Sequence, residues 1–148
     1  MSIPKRTPLL ILDTHVWIWL INGDERIRES GFLNAVDRAV QDSSIKIPAI
    51  CLWEVSMLAA KRRITLAEST LEWMTHASSA PGVSIFPLTP AIAYESTALP
   101  GLFHGDPADR MIVATARNVN GTLLTFDKLI LNYAQAGYVN CIMPQQFP

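Results

Sequence analysis

Short apolar runs separated by longer stretches of helical pattern constrain this chain more than any other feature. The runs are Leu9–Leu12, Ile45–Ile47, Val83–Phe86, Thr122–Phe126 and Val139–Ile142. Strands alternating with helical segments mark βαβ units, in which each strand returns parallel to the last through a crossover helix. The interior runs are continuous in Leu and Ile rather than alternating, the pattern of strands covered on both faces. Helices are expected at Glu25–Gln41, Ile50–Arg63 and Leu66–Ser78, from Thr89-Pro90 to Ala98, from Asp106-Pro107 to about Asn118, and over Lys128–Ala136 before Gly137. With 148 residues and no repeat or linker, the sequence reads as one α/β domain, residues 1–148, built on a mostly parallel sheet.

Five carboxylates stand against these apolar segments. Asp13 closes the first run and Asp127 the fourth, Glu54 lies inside Ile50–Val55, and Asp106 and Asp109 precede Met111–Ala114. In open parallel sheets ligands bind beyond the carboxyl ends of the strands, so Asp13 and Asp127 should face one crevice. Each taken alone reads equally as the cap of the next helix. Glu54 is the sharpest signal. On a helix its neighbours three and four positions away are Ile50, Cys51, Met57 and Leu58, all apolar, so its carboxylate falls on the buried stripe. An ionised group there is costly unless it is paired or gains a proton. Asp106 and Asp109 match an ordinary helix start of Asp, Pro and a second Asp. Asp109, one turn inside, is the better ligand candidate, whereas Asp106 reads as cap or ligand. His104, in the loop ahead, reads as a solvated loop histidine.

An all-oxygen, multiply anionic cluster selects hard cations, Mg²⁺ or Mn²⁺, over zinc, because no Cys/His ligand set accompanies it. Such ions activate water and neutralise phosphate oxygens. The chain has no glycine-rich phosphate loop, no Gly-x-Ser-x-Gly and no Cys–His pairing, so the chemistry reads as metal-dependent hydrolysis.

Composition narrows the remaining classes. Hydrophobic residues make up 49% and charged residues 17%, against about 25% charged in ordinary soluble domains. That balance fits a dense core together with a face covered by a partner. The longest apolar run, Val16–Ile21, falls well short of the roughly 18 residues of a membrane span. Lys5 and Arg6 imitate the start of a signal peptide, but Asp13 and His15 interrupt the apolar zone, so a cytoplasmic protein is expected. Cys51 and Cys141 read as small buried hydrophobes of a reducing compartment, with one disulfide left open. The net charge of -1, from 12 basic and 13 acidic residues, neither favours nor excludes a nucleic-acid partner.

The motifs Leu10-Ile11-Leu12-Asp13-Thr14-His15, Leu52-Trp53-Glu54-Val55, His104-Gly105-Asp106-Pro107-Ala108-Asp109-Arg110 with the following Met111–Ala116, and Leu123-Leu124-Thr125-Phe126-Asp127 occur in one order over nearly the whole chain. In this set and order the chain resembles a PIN-domain ribonuclease, specifically the VapC-like toxins of bacterial toxin–antitoxin pairs. The resemblance implies a PIN-like, Rossmann-like α/β/α sandwich with a central five-stranded sheet. It implies an Mg²⁺-dependent endoribonuclease, with Mn²⁺ able to substitute, acting on an RNA substrate. Asp13, Glu54, Asp109 and Asp127 would form the catalytic metal-binding quartet, with Asp106 as helix cap or further ligand and Thr125 as a contact to phosphate or metal-bound water. A cognate antitoxin and a homodimer are also implied.

Three rival functions share part of this pattern. A haloacid-dehalogenase-like phosphatase also begins with a strand ending in Asp, but its chemistry wants a second Asp two residues on, where His15 stands. A housekeeping PIN-type nuclease on structured RNA or DNA would share every ligand, and only the compact length favours the toxin. A non-catalytic PIN-fold binding protein would have little use for the full set of acids. Arg110, Lys128 and the Lys61–Arg63 segment are candidate phosphate contacts, the last reading more simply as solvated surface. Trp17, Trp19 and Trp53 read as a core or interface cluster.

Overall fold

The computed structural model describes residues 9–28 and 30–146; Lys5 and Arg6 lie outside them. In chain order the elements are β1 (Leu10–Leu12), α1 (Thr14–Asn22), α2 (Ser30–Gln41), β2 (Ile45–Pro48), α3 (Ile50–Ala60), α4 (Thr70–Ser78), β3 (Val83–Phe86), α5 (Pro90–Thr97), α6 (Pro107–Val119), β4 (Thr122–Leu124), α7 (Lys128–Gln135) and β5 (Cys141–Ile142). Short 3-10 turns occupy Glu25–Ile27 and Pro144–Gln146.

The five strands form one sheet in the order β3-β2-β1-β4-β5, and every pairing is parallel. From β1 the chain first builds outward through β2 and β3, then crosses to the other side for β4 and β5. The direction of winding therefore reverses between β1 and β4, where Leu12 pairs with Leu124. In sheets of this kind that reversal opens a crevice beyond the strand ends, a place for a ligand. All three residues of β1 are buried although successive side chains point to opposite faces, so helices cover the sheet on both sides. The core runs from Leu10, Ile11 and Leu12 through Ile45 and Ile47 to Ile112, Val113, Leu123 and Leu124.

Several boundaries differ from the sequence reading. Periodicity gave no helix between Asp13 and Glu25, yet α1 fills the space. Val16, Trp17 and Ile18 are all buried, so the helix lacks the polar face that a periodic pattern needs. The expected helix over Glu25–Gln41 begins as a 3-10 turn capped by Asp24 and becomes helical only at Ser30. Likewise Leu66–Ser78 starts at Thr70, because the Ser69 hydroxyl accepts the Glu72 N–H and fixes the helix start there. The ladder ends two residues before Phe126, as the backbone turns into the cap of α7, and the last strand is only Cys141–Ile142.

The supposed tryptophan cluster separates. Trp17 is fully buried and meets Trp73 edge-on at 5.2 Å, Trp19 packs on Phe126 and His15, and Trp53 is 57% exposed. Among the described residues both cysteines are free thiols.

Candidate metal centre

Asp13 follows β1 directly and its amide donates to the Leu124 carbonyl at 3.0 Å, which places its side chain at the winding reversal. It is 7% exposed. The carboxylate is held from two sides: Oδ1 accepts the Thr14 N–H at 2.8 Å, and Oδ2 accepts the Thr125 hydroxyl at 2.5 Å. Thr14 in turn donates its hydroxyl to Glu54 Oε1 at 2.6 Å. One Asp-Thr pair thus fixes the acid that ends β1 and reaches the acid on α3. Glu54 is half-buried, so it neither snorkels away nor forms an ion pair with an Arg among the described residues.

The acids at the starts of α6 and α7 arrive by capping. Asp106 Oδ1 accepts the Asp109 N–H at 3.0 Å, and Asp127 Oδ1 accepts the Ile130 N–H at 3.0 Å. Both helices start at the carboxyl edge of the sheet, so their caps lie beside Asp13. One oxygen suffices for a cap, and the second remains available. Capping and cation binding are therefore compatible uses of one carboxylate.

One oxygen from each of Asp13, Glu54 and Asp109 lies within 4.8 Å of the others, and a ring nitrogen of His104 forms a second such group with Asp109 and Asp127. Asp109 belongs to both. Asp106 belongs to neither, although it lines the same cavity of about 590 Å³ with Asp13, Glu54, Asp109 and Asp127. All five sequence candidates thus reach one cavity, with Asp106 at its rim.

Gathering them has an electrostatic cost. The Asp109 carboxyl is pushed up to about 8, first by burial and then by repulsion from Asp13, Asp127, Asp106 and Glu54. Asp13 and Glu54 are also raised, each mainly by burial, with the hydrogen bonds from Thr125 and Thr14 pulling the other way. Acids this unwilling to ionise together are what a divalent cation stabilises. The donor set fits one: three carboxylates converge with no ammonium or guanidinium paired to them among the described residues. Burial holds both thiols well above their ordinary range, Cys141 at about 12, so neither offers a thiolate.

Two residues, Thr14 and His104, play parts that the sequence did not reveal, and a third, Arg63, comes from a segment it had read more simply as solvated surface. Thr14 links Asp13 to Glu54; a hydroxyl beside an acid at a strand end was the available signal. His104 is drawn into the site, its Nε2 3.2 Å from Asp109 Oδ2, rather than left in solvent. Its loop is firmly seated: Gly101 has φ of +68° and a Cβ there would collide with the Tyr138 ring, while Tyr133 donates its hydroxyl to the Pro100 carbonyl at 2.6 Å. Arg63 lines the cavity as well.

The candidate phosphate contacts fall in different places. Arg110 is not turned towards a phosphate. It donates to the carbonyls of Ser96 at 2.7 Å, Phe103 at 3.0 Å and His104 at 3.2 Å, and so holds the His104 loop. The Thr125 hydroxyl is wholly buried and given to Asp13, while its oxygen accepts the Asp127 N–H at 2.9 Å. Its hydrogen bonds position two acids. Lys128 is exposed and lines a separate cavity beside Cys141.

A parallel sheet of order 3-2-1-4-5 with acids from the end of β1, from α3 and from the starts of α6 and α7 gathered at the winding reversal defines a class of protein, and the PIN-domain family model matches residues 10–135. The chain belongs to the PIN-domain family. It is 33% identical over 125 residues to Ribonuclease VapC22 of Mycobacterium tuberculosis, a match covering 84% of this chain and 91% of that protein. Among solved structures, VapBC2 from Rickettsia felis bound to a promoter DNA fragment is similar with a TM-score of 0.64 at 17% identity, covering 90% of this chain and 97% of that one. A toxin–antitoxin complex from Klebsiella pneumoniae gives a TM-score of 0.60 at 22% identity, over 91% and 97% of the two chains. At these identities the structures establish the fold, a PIN-type α/β architecture. No helix among the described residues is long and apolar enough to cross a membrane.

Proposed function

We propose that this chain is a metal-dependent endoribonuclease and the toxin of a toxin–antitoxin pair. The observation that carries the reading is the convergence of Asp13, Glu54 and Asp109 to within 4.8 Å at the winding reversal of a PIN-family sheet. A relative 33% identical over most of the chain is named a ribonuclease, which supports RNA as substrate. The similar complexes from Rickettsia felis and Klebsiella pneumoniae support an antitoxin as partner. The reading treats residues 1–148 as a single PIN domain, homodimeric and cytoplasmic.

In this reading Asp13, Glu54, Asp109 and Asp127 hold the cation, with Asp106 capping α6 at the rim. Carboxylate oxygens favour Mg²⁺, and Mn²⁺ substitutes because it accepts the same donors with His104 nearby. When bound, the ion lowers the pKa of water and neutralises charge at the scissile phosphate. The chain does the rest by positioning. Thr14 and Thr125 orient Asp13, Thr14 orients Glu54, and the Thr125 oxygen fixes the backbone entering Asp127. No side chain is required as a nucleophile, in keeping with two thiols that burial keeps protonated.

Purified protein with Mg²⁺ or Mn²⁺ should cleave RNA, and Asp13→Ala and Glu54→Ala should not. Equal cleavage by those variants would place the activity elsewhere or in a contaminant. The toxin role has its own test: a cleavage-dead variant should still co-purify with the small protein encoded beside it.

A further inference from the structure

The acid cavity opens at one side onto a second groove of about 680 Å³, and Glu54, Met57, Arg63 and Asp106 are common to both. Trp53 forms part of the wall of the second groove, with Lys61 beyond it. The indole is 57% exposed, on the helix that carries Glu54 at the next position. Tyr94 and Leu102 are more exposed still; what distinguishes Trp53 is its place in a groove that shares its lining with the acid cavity. Lys61 and Arg63 are exposed, and neither is paired with an acid among the described residues.

We infer that this groove is a nucleotide subsite, in which Trp53 stacks a base of an unpaired RNA segment while Lys61 and Arg63 hold its phosphates. The inference rests on the ribonuclease reading above and assigns to Trp53, Lys61 and Arg63 the holding of the strand beside the cut. An indole flanked by free cations is the combination that binds single strands: the ring accepts the flat face of any base and the cations track the backbone. Continuity with the acids supplies the direction, since a strand lying in the groove passes from Trp53 to Arg63 and on to the cluster. A duplex keeps its bases stacked on one another and offers none to the indole. A protein partner would use the indole as an apolar anchor but has no need of two free cations leading to the metal site. Trp53 thus acts in substrate binding and specificity.

The test uses the full-length protein carrying Asp13→Asn, with Mg²⁺ and a fluorescein-labelled single-stranded RNA of mixed sequence, read by anisotropy. Adding Trp53→Ala should weaken binding about tenfold, within the range for loss of one stacked base, and Trp53→Phe should recover most of it. Lys61→Gln with Arg63→Gln should flatten the slope of log affinity against log salt by about 1.4, the value for two phosphate contacts on a single strand. In the cleaving protein Trp53→Ala should raise KM for single-stranded RNA with kcat little changed. Unchanged RNA affinity in Trp53→Ala would overturn the subsite. So would loss of binding only to the protein encoded beside it, which would make the groove a protein-docking surface. Failure of the wild-type protein to cut any RNA would instead overturn the ribonuclease reading.

Discussion

The Thr125 hydroxyl donates to Asp13 Oδ2 at 2.5 Å, joining residues 112 positions apart across the reversal between β1 and β4. The same oxygen accepts the Asp127 N–H at 2.9 Å. One buried side chain therefore sets the geometry of two acids. Replacing Thr125 by Val keeps the shape and removes both bonds, at a cost of about 1–3 kcal/mol because buried polar groups lose their partners. The expected outcome is a lower Tm and weaker Mg²⁺-induced stabilisation, with Thr125→Ser restoring both. A Thr125→Val protein with unaltered Tm and metal response would deny this role.

Asp109 is repelled by the four other acids. Asp109→Asn removes that charge at nearly constant volume. In EDTA the variant should melt higher than the wild type. Millimolar Mg²⁺ should raise the wild-type Tm through preferential binding to the folded state and leave the variant where it was. The two effects have opposite signs in one protein, and thermal melts with and without metal separate them. A variant less stable in EDTA would show that the carboxylate is structural.

The pH dependence follows from the same group. Its folded-state pKa of about 8 lies above the value near 3.9 expected in the unfolded chain. Between these values the folded state holds a proton that the unfolded state has lost, so stability falls as pH rises. Asp13 and Glu54, both raised, act in the same direction. In EDTA the Tm should therefore decline from about pH 4 to about pH 8. With Mg²⁺ present the decline should disappear, because the ion replaces the protons as partner. A metal-free Tm that climbs through this window would contradict the crowding of the acids.

Arg110 makes three bonds to carbonyls and, among the described residues, none to an acid. Arg110→Ala should lower the Tm, since charged hydrogen bonds each contribute about 1.5–3 kcal/mol, and should slow cleavage by loosening the His104 loop. It should not change the salt dependence of RNA binding, which counts phosphate contacts. A reduced salt slope in this variant would return Arg110 to the substrate.

Much of this was legible in the sequence because it depends on local pattern. Continuous apolar runs gave the parallel sheet, and acids at their ends gave the crevice. The sequence ranked Asp109 above Asp106 as a ligand, but left Asp106 and Asp127 open as cap or ligand, since a carboxylate has two oxygens and the choice is made by what lies across the cavity. α1 was missed because Val16, Trp17 and Ile18 are all buried, and a helix without a polar face carries no period. Thr14, Thr125 and Arg110 act through contacts 40, 112 and 14 positions away. A hydroxyl beside an acid hinted at Thr14 and Thr125, but no neighbour reports which distant group each meets, and the same holds for the difference between a buried Trp17 and an exposed Trp53.

In the proposed function, the carboxylates at the end of β1, on α3 and on α6 hold the cation on which RNA cleavage depends. Single-turnover cleavage of a labelled single-stranded RNA, titrated with Mg²⁺, tests it in wild type and Glu54→Gln side by side. Glu54→Gln keeps the side-chain shape and the Thr14 contact but loses the charge. The rate should rise with Mg²⁺ in the wild type and fall by more than about a hundredfold in the variant, while the metal-free Tm is no lower. Equal rates in the two proteins, or cleavage undiminished in EDTA, would contradict it.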